Sequence, residues 1–226
     1  MSRVLITGGC GFVGSNVSVR LSLRGDDVTC FDNLSRRGAE ILLERIQEHD
    51  CRFVYGDVRN DEDLNKLSGD FDAMIECSAE PSVMVGANGN DAYFMVNNNL
   101  IGSIKCFEFC RKNRIPVIFL STSRVYPYDA INSLVFEEIE TRFVYSDNKE
   151  SVSEKGITTG FDLRGLRSLY GATKLSSEFI LREYSHNYDL PCIINRCGVI
   201  AGPWQLGKVD QGVFTYWIAN HFFKKN

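Results

Sequence analysis

The chain has 226 residues, of which 44% are hydrophobic and 24% are charged, as in an ordinary soluble globular protein. Its net charge of −4 argues against nucleic acid or an anionic membrane surface as a partner. No apolar run approaches the roughly 20 residues of a membrane span, and the three residues before the first predicted strand leave no room for a signal peptide. We therefore expect a cytoplasmic protein.

The eight cysteines are scattered along the chain and are expected to be reduced and mostly buried. Cys106 and Cys110 are four residues apart, a spacing that allows a metal site or a redox pair. Packing of both thiols on a helix face beside Phe107 and Phe109 is the favoured interpretation. The three histidines lie far apart, and no metal site is predicted.

The first predicted unit is a strand, a glycine loop and a helix. Residues 4–7 are apolar or β-branched, and residues 15–24 have a moderate helical spacing of apolar residues that Gly25 would end. Unpaired N–H groups and the helix dipole favour an anion at such a loop, and a plain tight turn is the alternative. The glycines of the loop follow a G-x-x-G-x-x-G spacing: Gly8, Gly11 and Gly14.

An acidic residue follows the second predicted strand. Residues 28–31 end at Asp32, about twenty residues beyond the loop, where a carboxylate can bind the ribose diol of an adenosine. Arg36 and Arg37 could accept the 2′-phosphate of NADP, but Asp32 would repel that group. The sequence therefore predicts a dinucleotide site that prefers NAD.

Strands and helices continue to alternate, which predicts an α/β protein with a doubly wound parallel sheet, the Rossmann fold. Asp57, after the third strand, could meet an adenine amino group or could cap the next helix. Residues 129–165 are predicted to be one long irregular region, of a length that is usually functional or mobile. The further predicted strands are 52–55, 71–77, 116–120 and 192–195, and the further helices are 39–48, 60–67, 92–112 and 169–187.

The predicted chemistry lies at the end of the fifth strand and at the start of the helix 169–187. Thr122 ends that strand, where ligands bind in open α/β sheets, although local capping also places hydroxyls there. Tyr170 and Lys174 are one helical turn apart, so a phenol and an ammonium share a face. With a nearby cation, Tyr170 could take a proton from an alcohol that Thr122 orients, while hydride leaves for the nicotinamide. A solvated helix face is the alternative.

These motifs together resemble the extended short-chain dehydrogenase/reductase family of nucleotide-sugar epimerases and dehydratases, over essentially the whole chain. The resemblance implies that Phe12, Val13 and the glycines lie along the pyrophosphate of NAD, and that Cys197 lies beside the nicotinamide. It also implies substrate contacts at Ser123 and Gln211. The other residues implied to contact the cofactor, besides Asp32, Tyr170 and Lys174, are Asn33, Ser35, Arg36, Asp57, Val58, Ser78, Ala79, Glu80, Asn99 and Ser121.

Within the family, residues 31–36, 140–143 and 210–212 resemble the CDP-paratose 2-epimerases. This implies a nucleotide sugar oxidised at C2, recycled NAD and a homodimer. The chain ends before the usual end of the family, so we expect an NAD-binding domain at 1–196 and the start of an incomplete substrate-binding lobe at 197–226. The incomplete chain could bind NAD without turnover.

Several residues depart from the family pattern, and two other functions are considered. The family's 4,6-dehydratases carry an acidic pair after the strand-end threonine, where this chain has Ser123 and Arg124, which argues against dehydration. A non-catalytic NAD-binding sensor or scaffold is the alternative from another class. The departures lie at Glu76, often histidine in the family, at Glu80, usually glutamine in the 2-epimerases, and at Pro127 and Leu169.

Overall fold

A computed structural model describes residues 1–67, 69–86, 91–146, 150–153, 155–207 and 212–225. A π-helical turn, Val96–Ile101, joins two α-helices, and a 3-10 turn, Ser123–Val125, follows the fifth strand. In chain order the elements are β1 (Arg3–Thr7), α1 (Phe12–Leu23), β2 (Asp27–Asp32), α2 (Ala39–Gln47), β3 (Arg52–Tyr55), α3 (Asp61–Leu64), β4 (Ala73–Glu76), α4 (Ala92–Met95), α5 (Gly102–Asn113), β5 (Val117–Thr122), α6 (Tyr128–Asn132), β6 (Phe136–Glu138), β7 (Phe143–Tyr145), β8 (Val152–Ser153), β9 (Gly156–Ile157), α7 (Leu169–Tyr188), β10 (Cys192–Cys197) and α8 (Val213–Phe222).

Six strands form one parallel sheet in the order β10-β5-β4-β1-β2-β3. The strand order reverses between β1 and β4, and in such sheets the ligand crevice lies beyond the carboxyl ends of the strands at that point. The predicted doubly wound Rossmann fold is confirmed.

The sheet is buried on both faces by helices, which is why its strands are nearly continuous runs of apolar residues. On one face, Phe107 of α5 and Leu181 of α7 pack against Phe119 and Met74 of the sheet. On the other face, helices α1 and α2 pack against side chains that include Ile6 and Cys30. Among the described residues, no helix is long and apolar enough to cross a lipid bilayer.

Four predicted segments differ clearly from the structure. Helix α1 begins at Phe12, three residues before its predicted start. Helix α3 stops at Leu64 instead of continuing to residue 67, and the predicted helix 92–112 is interrupted by the π-helical turn. The prediction of one irregular region at 129–165 is wrong for its described part, which contains most of α6 and two antiparallel pairs, β6 with β7 and β8 with β9. Strands of two or three residues are too short for apolar alternation to reveal them.

Candidate active site

The glycine loop after β1 is folded so tightly that side chains are excluded from it. A Cβ on Gly14 would lie 2.1 Å from the carbonyl oxygen of Gly8, and a Cβ on Gly8 would lie 2.8 Å from the backbone nitrogen of Ser78. The N–H of Gly11 donates to the Gly8 carbonyl at 2.9 Å, and Gly11 has no side chain to cap α1. The first N–H groups of α1 therefore have no acceptor within the helix and are available to an anion.

Asp32, the last residue of β2, is fixed against this loop. Its Oδ2 accepts from the N–H of Cys10 at 3.0 Å and its Oδ1 accepts from the N–H of Leu34 at 2.8 Å. Burial raises the pKa of the Asp32 carboxyl, while the backbone N–H groups act in the opposite direction. Burial, and then the nearby Asp32, raise the pKa of the Cys10 thiol to about 12, so this thiol stays neutral beside the carboxylate.

Asn33 and Asp57 lie together at the carboxyl ends of β2 and β3. Asn33 Nδ2 donates to Asp57 Oδ2 at 2.8 Å, and Arg59 donates to both oxygens of the same carboxylate. Those Arg59 bonds are the main reason that the pKa of Asp57 falls to about 2. Helix α3 is capped by Asn60, which accepts from the N–H of Glu62, so the helix-cap alternative for Asp57 is wrong.

Five further residues predicted to contact the cofactor lie near this edge or along α1. The N–H of Ser35 donates to Asn33 Oδ1 at 3.1 Å, and Arg36 is half-buried. Val58 is buried in the core cluster on the α5 side of the sheet. One side of α1 and residues 200–203 line a groove of about 410 Å³, and Phe12 and Val13 lie at the start of that side.

Asn99 fixes the loop that follows β4. Its Oδ1 accepts from the N–H of Glu80 at 2.8 Å, and its Nδ2 donates to the Glu80 carbonyl at 2.9 Å. Asn99 is fully buried in the π-helical turn, a type of turn often found at functional sites. This pairing holds the preceding half-buried residues, Ser78 and Ala79, at the edge of the crevice.

The ends of β5 and β10 are adjacent, with Thr122 opposite Cys197 in the register. Thr122 Oγ1 accepts from the N–H of Arg124 at 3.2 Å, so local capping operates here, but the hydroxyl proton is left to donate elsewhere. The Ser121 hydroxyl donates to buried Glu178. Ser123 is half-buried at the start of the 3-10 turn, and Gln211 lies outside the described residues.

Helix α7 begins in close contact with the turn that follows Thr122. Its N-cap is Ser168, whose Oγ accepts from the N–H of Gly171 at 3.1 Å. A Cβ on Gly171 would lie 2.1 Å from the carbonyl oxygen of Arg124, so only glycine permits this approach. The contact places the first turn of α7, which includes half-buried Tyr170, against the turn that follows Thr122.

Lys174 lies one turn farther along α7 and is only 2% exposed. Its Nζ is 3.6 Å from Glu76 Oε2 and 4.5 Å from the centroid of the Phe119 ring. The solvated-face alternative therefore does not apply to Lys174. Sequence reasoning singles out Glu76 only as a departure from a family pattern and misses this pairing. A charged residue at the end of an apolar strand was the available sign that it needed a buried partner.

A second buried ion pair, between Arg196 and Glu178, is also not predicted from the sequence. Arg196 of β10 donates to both oxygens of Glu178, and its other donors reach the carbonyl of Thr159 at 3.1 Å and the hydroxyl of Tyr126. Both charged side chains are almost fully buried. Glu178 follows Lys174 by one helical turn, and this was the available sign that it has a role in the site. Its partner Arg196 lies on another element, so local spacing does not indicate the pair.

Comparisons with known proteins give a family and several relatives. The family model described as "NAD dependent epimerase/dehydratase family" matches residues 4–222. The chain is 28% identical over 215 residues to CDP-paratose 2-epimerase of Salmonella typhi, covering 93% of this chain and 61% of that protein. It is 30% identical over 224 residues to UDP-glucuronate 4-epimerase 4 of Arabidopsis thaliana, covering 94% of this chain and 44% of that protein.

The chain is also similar to a solved structure of a nucleotide-sugar epimerase. The crystal structure of UDP-glucose 4-epimerase from Thermus thermophilus, in complex with NAD, matches with a TM-score of 0.73 and 25% identity. That match covers 99% of this chain and 63% of the solved one. The chain thus spans less than two thirds of each of these three proteins.

Proposed function

The chain belongs to the NAD dependent epimerase/dehydratase family, and from this premise we propose that it is the cofactor-binding part of a nucleotide-sugar epimerase. The reaction we propose is reversible oxidation of one sugar hydroxyl, with inversion of its carbon. The similarity to a CDP-paratose 2-epimerase supports a CDP-sugar and the C2 carbon as the first choice.

Family membership confirms NAD as the cofactor, and the crevice fits it. A Cβ on Gly14 would clash with the Gly8 carbonyl, so the absence of a side chain lets the loop pack closely on the start of α1, and the open N–H groups of α1 suit a pyrophosphate. Asp32 stands at the end of β2 with its carboxylate already oriented by two N–H groups, which suits a ribose diol.

In the proposed reaction, bound NAD supplies a hydride acceptor that later returns the hydride to the same carbon. Tyr170 takes the proton of the sugar hydroxyl as the C–H bond breaks, leaving a ketone. Thr122 donates its hydroxyl proton to the same oxygen and orients it. Lys174 stabilises the tyrosinate and binds the nicotinamide ribose. Tyr170 would return the proton to the same oxygen, and hydride supplied from the reduced cofactor to the other face of the ketone would invert the carbon.

The observation that carries this proposal is the contact between Gly171 and the Arg124 carbonyl. It brings the first turn of α7 against the end of β5, which supports the assignment of Tyr170 as the base and of Thr122 as the residue that orients the substrate. A sensor has no need of this arrangement. Arg124, exposed beside Thr122, offers no carboxyl group for removing water, which argues against a dehydratase.

The first experiment is to release the bound ligand from the purified protein and identify it by absorbance and mass. CDP- and UDP-sugars are then incubated with the protein in D₂O and followed by proton NMR. A recycled hydride predicts inversion without deuterium uptake at the inverted carbon. Deuterium uptake there, or a product that has lost water, would contradict the mechanism.

Tyr170→Phe tests the role of the base, with Tyr188→Phe as the matched control. Tyr188 is exposed at the far end of the same helix. We expect Tyr170→Phe to abolish turnover and to leave NAD affinity nearly unchanged, because the base acts on the substrate hydroxyl. Equal loss of both would contradict the assigned role.

Three expectations stay proposals: a division of the chain at residues 196 and 197 and a homodimer, which the resemblance implies, and a cytoplasmic location, which the sequence pattern predicts. Sedimentation of the purified protein tests the homodimer directly.

A further inference from the structure

One carboxylate beneath the crevice has an oxygen without a hydrogen bond. Glu76, the last residue of β4, is fully buried. Its Oε1 accepts from the hydroxyl of Ser78, which also lies 3.2 Å from the Thr7 hydroxyl at the end of β1. Its Oε2 is buried with no hydrogen-bond partner. A buried carboxylate in this condition is costly unless a cation compensates it.

The cation next to this oxygen is the ammonium of Lys174. The 3.6 Å between Lys174 Nζ and Glu76 Oε2 makes an ion pair without a hydrogen bond, because the separation exceeds the usual hydrogen-bond range. Phe119 lies against the ammonium on another side, with its ring centroid 4.5 Å away. The ammonium donates no hydrogen bond to a described residue, so it keeps donors for a ligand in the crevice.

The other ionisable groups around this pair do not replace Glu76. Burial is the main reason that the pKa of each neighbouring thiol is raised, so these thiols stay neutral near pH 7. Glu178 of α7 is already paired with Arg196 of β10, and Arg124 of the 3-10 turn is an exposed cation. The thiols meant here are those of Cys77, directly after β4, of Cys106 in α5 and of Cys197 at the end of β10.

We propose that Glu76 is the positioning residue of the site: its carboxylate holds the Lys174 ammonium at the crevice and offsets part of the charge that acts on Tyr170. The role in catalysis rests on the proposed function, whereas the ion pair does not. Through Ser78, the same carboxylate also connects the lysine to the loop after β4.

Thermal unfolding tests the ion pair without any turnover. In Lys174→Met, the Glu76 carboxylate is left buried and uncompensated, so the melting temperature should fall by several degrees. Adding Glu76→Gln to that variant should raise the melting temperature again, because the remaining buried charge is removed. A further fall on adding Glu76→Gln would overturn the proposal. This comparison does not require Glu76→Gln to fold by itself.

The pH dependence of kcat/KM tests whether Glu76 offsets the charge of Lys174 that acts on Tyr170. In Glu76→Gln, Lys174 acts on Tyr170 without an offsetting carboxylate, so the tyrosinate forms more easily and the acid limb should move down by about one pH unit. Glu76→Asp keeps the charge and should leave the limb in place. Glu178→Gln removes an equally buried carboxylate and should lower the melting temperature without moving the limb.

The outcomes separate this proposal from the proposed function. A Glu76→Gln profile that superimposes on the wild-type profile, apart from its height, would overturn the positioning role. A wild-type protein that turns over no nucleotide sugar would contradict the proposed function, and the two melting temperatures would still decide the ion pair.

Discussion

Two carboxylates at the carboxyl edge of the sheet, those of Asp32 and Asp57, differ in what they can bind because their hydrogen-bond partners differ. Asp57 is bound by Arg59, which lowers its pKa to about 2 and occupies both of its oxygens. Asp32 is bound by two backbone N–H groups and no cation, and burial raises its pKa. Asp32 is therefore the carboxylate with capacity left for a diol.

Asp32→Asn should weaken NAD binding by about 10- to 100-fold, since a hydrogen bond to a charged group is worth roughly 1.5–3 kcal/mol. The affinity of NADP should fall less, because the repulsion of its 2′-phosphate is also removed. Calorimetry with both dinucleotides measures the change. Asp27→Asn, at the exposed start of the same strand, is the control.

The raised pKa of Asp32 also fixes the sign of a pH effect. The folded protein holds this proton more tightly than the unfolded chain, so the stability linked to Asp32 decreases as pH rises above the unfolded value. The wild-type affinity for NAD should decrease as pH falls, because protonation removes the charge that binds the ribose. An equal pH dependence in Asp32→Asn would contradict this account.

At the scale of elements, the site depends on how closely α7 approaches β5. Helix α7 packs against the 3-10 turn and the π-helical turn as well as against β5. One residue without a side chain, Gly171, sets the distance at its start.

Gly171→Ala should displace the start of α7, because its Cβ would lie 2.1 Å from the Arg124 carbonyl oxygen. A shift of about 1 Å at the base can lower turnover about 100-fold, while NAD affinity should change little. Gly160→Ala is the control, since its Cβ would make only an ordinary contact of 3.7 Å with Thr158. Turnover that survives in Gly171→Ala would show that this contact does not position Tyr170.

The sequence predicted these elements to different degrees. The glycine loop, Asp32 and the shared face of Tyr170 and Lys174 depend on local spacing, which is visible in a single chain. The partnership of Lys174 with Glu76 joins residues about a hundred positions apart, and spacing carries no information on it. The π-helical turn is hidden for another reason: no residue type marks such a turn, and only the contact of Asn99 with Glu80 reveals its use.

At the scale of the whole molecule, the described part of the region 129–165 forms a small unit attached to the sheet. A third apolar cluster, which includes Val125, Phe161 and Leu175, packs this unit against the start of α7. Arg196 joins it to the sheet, because it binds Glu178 and the Thr159 carbonyl at once.

Arg196→Met should destabilise the protein by about 3–5 kcal/mol, since it leaves Glu178 buried without a cation. The unit 129–165 should also become more open to limited proteolysis. Arg164→Met is the control, because its ion pair with Asp162 is at the surface, where solvent screens it. Equal stability of the two variants would show that the buried pair does not hold the unit.

The π-helical turn Val96–Ile101 makes the length of its helix critical. It accommodates one residue more than a regular turn, so loss of a single codon there would let α4 and α5 join as an ordinary α-helix. Each residue of an α-helix adds about 100° of rotation, so the shortened helix would turn Asn99 away from Glu80. Such a deletion would give a more regular helix and release the loop after β4. We therefore expect genes that descend from this one to vary in the sequence of the segment from α4 to α5, but to keep its length.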